Sequence, residues 1–461
     1  MVVRPLLARL AKKAPVPVFL IAGIGGDEIA DRLRLDERLQ VMDSPRPAMV
    51  LMIVGRLTSG LNGAALQVHD QMAEPRAVVR WSPSRLDASA AIFPHLVAAE
   101  AAAALGRAAV AARDDLLAGR LPSSPPLLPD VDPNPWRGVG PWGQGGAGMT
   151  GGVPYGRPLP ERAKDRDGLQ LDQLLVRVGP FMPALPEGLT LEVKLQGDVI
   201  QDVVVGENPF LEEAGSESRQ EVSPALVAPA DLAPFLAALR VPVAIAELEL
   251  VRVRHHLRWL GHTLRIHGLT ALGRRVLALS ARVHLGGAGA RGALATADVA
   301  ELRRSLERNF TLAWVTRGIG RLSADQLAAL DGGPVARAAG VERDERLADP
   351  AYLALGFEPV TRTRGDALAR WRLRLHEAER SLRLAEIAGD GMTTVTGAVE
   401  GPTGPLGRGL APSSRLLPLL PDLLTGLDWG DAVSTLLSLD LDLREAALTT
   451  PGSGAVPAWA W

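Results

Sequence analysis

Two groups of residues have types and spacings that could do chemistry. Gly23-Ile24-Gly25-Gly26 follows an apolar run, where a glycine-rich turn can bring backbone amides close to a phosphate. The dinucleotide fingerprint needs a third glycine at the sixth position, which is Glu28 here, so a plain strand-to-helix turn is expected. The second group is His255, His256, His262 and His267, whose separations of 7 (255 to 262) and 11 (256 to 267) place each pair on one helical face. No carboxylate stands three or four residues from them, and Arg252, Arg254, Arg258 and Arg265 crowd the same stretch. That pattern points to a structural or solvated role rather than a metal site. There is no G-x-S-x-G, Walker loop or H-E-x-x-H, and nothing else assembles a catalytic constellation.

Composition narrows the field further. The 461 residues contain no cysteine, which excludes disulfides, cysteine nucleophiles, thiolate-held metals and iron–sulfur clusters bound in the usual way. A formal charge of −2 gives no global electrostatic case for nucleic acid or an anionic membrane surface. Of the 50 basic residues only Lys12, Lys13, Lys164 and Lys194 are lysines, a bias that reflects genome composition more than function. No apolar run reaches the roughly 18–20 residues of a membrane helix. Val16–Ile24 follows two lysines as a signal peptide would, but lacks a cleavage site and reads as a buried strand.

The elements that must carry these residues fall into two units. Continuous apolar runs at Pro17–Ile24, Ala48–Gly55 and Ala77–Trp81 are separated by helical, charged stretches, as in a parallel α/β sheet. Alanine-rich Ala88–Leu117 reads as one long helix or a broken pair and closes a first unit over residues 1–119. Residues 120–168 form a Pro/Gly-rich arm whose Trp136, Trp142 and Tyr155 suggest docking rather than disorder. In 169–461, strands are expected at Leu171–Val178, Leu189–Leu195 and Val199–Val205, with a tight turn at Gln196-Gly197-Asp198. Helices follow at Val241–His267, Gly268–His284, Ala297–Glu307, Arg364–Ile387 and Leu416–Gly426, then a strand at Ser438–Glu445.

Two stretches resemble known families. Ser44-Pro45-Arg46-Pro47-Ala48 through Gly55, with His69-Asp70-Gln71-Met72-Ala73-Glu74-Pro75-Arg76, resembles the B-type subunit of bacterial NADH–quinone oxidoreductase (complex I) and hydrogenase small subunits. Gly179-Pro180-Phe181-Met182-Pro183, Arg252 to Gly261, Gly333-Pro334 to Val341, and Gly365-Asp366 with Arg370, Arg374 and Glu377 resemble the D-type subunit and hydrogenase large subunits. Leu420-Pro421-Asp422 to Asp442 follows the same family's end. The resemblance implies a flavodoxin-like α/β domain fused to an α+β, mainly helical hydrogenase-large-subunit-like domain.

The departures are as informative as the matches. By the family's spacing, the four-iron cluster positions fall on Ile24, Asp27 and near Ser84, and the fourth has no counterpart. The quinone-loop histidines fall on Met182 and about Pro186. Arg252, His256, Arg317, Arg337 and Arg370 match the family and are expected to hold helices and subunit contacts. The resemblance therefore implies a chain without iron–sulfur cluster or nickel, its quinone site eroded. The expected role is a structural or coupling component of a complex I-like or hydrogenase-like assembly, peripheral on the inner membrane face. Antiporter-like membrane subunits and ferredoxin-like subunits are the implied partners, with ion translocation the implied output. Two alternatives stay open: a subunit of a quinone- or NADH-linked oxidoreductase whose redox centres lie on other chains, and a free-standing binding protein.

Overall fold

The computed structural model describes residues 10–82, 92–93, 96–121, 161–164, 167–210, 231–283, 294–330, 332–389, 391–395, 397–407 and 410–447. Ser84, Trp136, Trp142, Tyr155 and most of the 120–168 arm lie outside them.

The first unit is a five-stranded, wholly parallel sheet of β1 (Val16–Ala22), β2 (Leu39–Val41), β3 (Val50–Val54), β4 (Ala77–Trp81) and β5 (Leu96–Ala98) in the order β2-β1-β3-β4-β5. This is the flavodoxin-like order, with its topological switch point between β1 and β3. β3 is buried at every residue, as its unbroken Val-Leu-Met-Ile-Val run requires. Val16, Val18, Val50, Met52 and Val79 pack on one face against helices α1 (Asp27–Leu35) and α3 (Leu105–Leu117). The opposite residues, Phe19, Ile21, Leu51, Ile53 and Val78, pack against α2 (Ser59–Gln71) and share a core with the second unit. One helix over Ala88–Leu117 is not what forms: a short edge strand, β5, precedes a helix that starts only at Leu105. Alanine-rich sequence favours helix locally, but pairing with β4 claims Leu96–Ala98 for the sheet.

The second unit begins with an antiparallel sheet, β6 (Arg162–Lys164), β7 (Gln170–Val178), β8 (Leu191–Gln196) and β9 (Val199–Val205), in that order. The β8–β9 turn falls on Gln196-Gly197-Asp198, with Gly197 at φ 64°. Two long helices, α4 (Ile245–Ile266) and α8 (Ala367–Ala388), pack along one another. Around them lie α5 (Thr270–Ser280), α6 (Thr296–Glu307), α7 (Phe310–Thr316) and the short hairpin of β10 (Val399–Glu400) and β11 (Pro405–Leu406). The expected strand Ser438–Glu445 is corrected: Trp429–Leu439 is helix α9, and Leu443–Ala447 is α10. Leu439, Leu441 and Leu443 are buried in alternation, which mimics a strand. The alternation arises because Asp440, at φ 58°, ends α9 in the left-handed conformation and swings the chain into a new turn. No helix among the described residues is long and apolar enough to cross a membrane.

Candidate functional site

The two units meet around a cavity of about 230 Å³ at the carboxyl end of β1. Leu20, Ala22, Asp27 and Met42 come from the first unit; Met182, Pro186 and Glu187 from the loop before β8; His255, Arg258 and His262 from α4; Asp440 from the turn after α9; and Arg444 from α10. Open α/β sheets place ligands in such a crevice beside the switch point. Here the loops at the crevice approach closely. The loops leaving β1 and β3 bond to each other through Ile24 and Arg56, 2.9 Å in both directions. A Cβ on Gly26 would lie 2.2 Å from the Val54 carbonyl oxygen, so only glycine permits this approach.

Of the sequence-derived positions on this side, Ile24 is buried in the shared apolar core and Asp27 opens α1. Asp27 accepts two bonds of 2.7 Å from the Arg444 Nη1 group, and the Arg444 Nη2 group reaches Glu187 at 3.2 Å. A carboxylate in the first turn of a helix is also favoured by the helix dipole. Desolvation by the cavity walls pushes the Glu187 carboxyl up to about 7 against the pull of Arg444, although a third of its side chain remains accessible. Met182 and Pro186 line the cavity as apolar, non-donating wall.

α4 supplies a cationic row that the first unit answers with carboxylates. The Arg258 Nε and the His262 imidazole both reach Asp31, the latter at 2.9 Å. Arg254 donates to Asp231 at 2.9 and 2.7 Å and to Glu28 at 2.7 Å, while Arg258 Nη1 donates to Asp231 at 2.6 Å. Burial raises the Asp31 and Asp231 carboxyls, but Arg258 and the neighbouring cations more than reverse it, holding both well below the usual range. His255 lies between Asp440, 2.9 Å from Nε2, and Asp231, 3.6 Å from Nδ1. Burial alone would discharge it; the two carboxylates hold it protonated, with a pKa of about 9.

A second set of charges lies inside the helical unit, between α4 and α8. Arg337 donates to Glu400 at 2.6 Å and Glu377 at 2.5 Å and sits 2.8 Å from Asp344. Arg346 bridges Asp344 and Glu249, and the Tyr352 hydroxyl donates to Glu249 at 2.7 Å. Arg252 donates to the Glu400 and Gly401 carbonyls, tying α4 to β10. Arg370 gives its three donor groups to Ser438, Gly365 and Gly320 and meets no carboxylate; burial lowers it to about 9. His256 is 2 % exposed, neither ring nitrogen makes a hydrogen bond, Nε2 lies 3.6 Å from Glu377 Oε2, and burial holds it well below its ordinary pKa.

Arg252, His256, Arg337 and Arg370 are thus brought together around the α4–α8 seam, while Arg317 stands apart, exposed at the end of α7. The ligand atoms of His255, His256 and Asp440 lie within 4.8 Å of one another. They do not suit a cation, because His255 is protonated and the Arg374 guanidinium, 3.4 Å from Asp440, already neutralises it. Sequence reading missed Asp31, Asp231, Glu187, Asp440 and Arg444. Each is an ordinary charged residue whose partner lies far away in the chain, and no local pattern marks it.

Comparison with known proteins places the helical unit. Residues 293–404 match the family described as "Respiratory-chain NADH dehydrogenase, 49 Kd subunit". The matched stretch carries Arg337, Arg346, Arg370, Glu377 and Glu400. The second D-type subunit of the NADH-quinone oxidoreductase of Rhizobium etli is 37 % identical over 108 residues, 23 % of this chain and 27 % of that one. Its counterpart in Salinispora tropica is 41 % identical over 115 residues, 23 % of this chain and 30 % of its own. The first D-type subunit of Streptomyces coelicolor is 47 % identical over 77 residues, 15 % and 20 % of the two chains. This part of the chain is similar to the D-type subunits. The chain spans less than a third of the length of these relatives. Among solved structures, a chain of the membrane-bound sulfane sulfur reductase, an archaeal respiratory membrane complex, aligns with TM-score 0.44 and 20 % identity over 60 % of this chain and 98 % of its own.

Proposed function

We propose that this chain is a peripheral subunit of a complex I-like membrane assembly, with a structural and coupling role rather than an electron-carrying one. The carrying observation is the ion pair of Asp27 with Arg444 at the switch-point crevice. In the resemblance of the first unit to B-type subunits, this is where a four-iron cluster would sit. The residues present do not fit one: Ile24 offers only hydrocarbon, Asp27 is committed to Arg444, and the chain has no thiolate. A quinone fits no better. The cavity of about 230 Å³ is smaller than the roughly 300–1,000 Å³ of typical ligand pockets, and charged groups crowd its walls.

On this reading, the D-like unit docks on integral membrane subunits at the inner face of the membrane, antiporter-like ones by the family's example. Leu175 and Val204, exposed on one face of the antiparallel sheet, supply apolar surface for such contacts. The chain would transmit movement between neighbours and leave redox chemistry, if the assembly performs any, to other subunits such as ferredoxin-like ones. The similarity of residues 293–404 to the D-type family favours a second reading, a part in quinone- or NADH-linked oxidoreduction with the redox centres elsewhere. Iron analysis of the anaerobically purified chain separates the first reading from its opposite: stoichiometric four-iron content sinks it. Protection of the interdomain loop 180–187 from hydrogen exchange by a quinone analogue would favour the second reading over the first.

A further inference from the structure

α6 ends at Glu307, and after Arg308 and Asn309 the chain starts α7. The Asn309 carboxamide caps α7 by accepting from the Leu312 amide at 2.9 Å, and Leu312 and Thr316 anchor the helix to the body. Phe310 and Trp314, one turn apart, face the other way. Each is 75 % exposed, and their rings lie 5.9 Å apart. Arg317, seven residues after Phe310, continues the same stripe. Arg304, Arg308 and Arg321 are exposed around it, and among the described residues none of these four arginines has a carboxylate partner. The nearest acid in sequence, Glu307, is taken up by Arg303 and His376; Glu301 and Asp325 are the exposed acids of the flanking sequence, and Asp428 and Asp431 stand at the start of α9, which packs on α7. In a chain of net charge −2, this is a local cationic, aromatic face.

We propose that this face seats on the headgroup layer of an anionic phospholipid bilayer. Large amphipathic rings prefer the boundary between headgroups and acyl chains, and arginines pair with lipid phosphates while their stems stay against apolar surface. The charge complementarity selects an anionic lipid surface. A second copy of this chain would bring the same unpaired cations face to face, and single-stranded nucleic acid would need a groove that follows its backbone, which a convex helix does not provide. The inference is independent of whether the chain carries electrons.

The test uses the full chain and vesicles of phosphatidylcholine with or without phosphatidylglycerol, in flotation assays at low and high salt. Binding at least ~10-fold tighter to the phosphatidylglycerol vesicles, and weakened by salt, is expected. Arg308→Glu with Arg317→Glu, and separately Phe310→Ser with Trp314→Ser, should each lower that binding ~10-fold or more without changing thermal unfolding, since all four side chains are exposed. The two pairs keep the proposal falsifiable if one fails to fold. Equal binding to both vesicles, absence of binding, or wild-type binding by both pairs overturns it. So does a dimer, or an oligonucleotide complex, that the aromatic pair of substitutions dissolves.

Discussion

The two buried ionic networks obey different rules. The one between the units pairs its carboxylates with cations across short distances: Asp27 with Arg444, Asp31 with Arg258, Asp231 with Arg254 and Arg258, leaving Arg444 Nε among the buried atoms without a hydrogen bond. The one inside the helical unit is deeper and incomplete. Glu377 Oε2, both nitrogens of His256, and the Arg374 Nε and Nη1 make no hydrogen bond there; His256 Nε2 lies 3.6 Å from Glu377 Oε2, and Arg374 Nη1 lies 3.4 Å from Asp440. Two surfaces that form separately and then meet are held in register by complementary pairs. A seam formed as one helix packs on another can keep charges that satisfy one another only in part, because the surrounding apolar core holds them there.

The sharpest way to break this comparison is to remove the centre of the seam. Arg337→Met leaves Glu377, Asp344 and Glu400 buried without their shared cation and should cost about 3–5 kcal/mol, read as a lower urea midpoint. A loss under about 1 kcal/mol would mean that the seam tolerates unpaired charge and the contrast is false. Arg444→Met should cost less, about 2–4 kcal/mol, because its partners face a cavity that water can enter. Its signature is local: faster hydrogen exchange in α1 and in residues 180–187, with α4 and α8 unaffected. If the networks are independent, the double variant should equal the sum of the singles within about 0.5 kcal/mol.

A pH titration asks the same question by another route. His255 is held at a pKa of about 9 in the folded chain against 6.5 as its ordinary value. A raised folded pKa contributes stability that is fully present below about pH 6.5 and lost as pH rises through about 9. The unfolding free energy should fall across that window by at most about 3 kcal/mol, and Asp440→Asn should flatten the slope. An Asp440→Asn profile parallel to wild type would remove His255 from the network. The smallest effect is expected for Ser438→Ala, which takes an acceptor from Arg370 and should cost about 1–2 kcal/mol in thermal unfolding.

How much of this was legible beforehand depends on range. β1, β3 and most of β4 were readable as unbroken apolar runs, and α4, α6 and α8 as long proline-free stretches of helix-favouring residues. Ser438–Glu445 misled because burial of alternate leucines does not distinguish a strand from a helix end followed by a left-handed turn. β5 was hidden in alanines, whose local preference is helical. For the site, Asp27 and the Met182–Pro186 loop could be placed through the family pattern. Arg444, Asp231 and Asp440 could not, since what gives them a role is a partner separated by as many as 417 residues.

That separation bears on how the molecule is made. During synthesis the parallel sheet leaves the ribosome and can fold long before Arg444 exists, and N-terminal units generally do fold first. Until then Asp27 has no cation, and the crevice beside β1 stands open to water. A nascent or truncated chain therefore differs from a finished one at a defined spot, the first turn of α1. Closure of that spot requires the chain through residue 444.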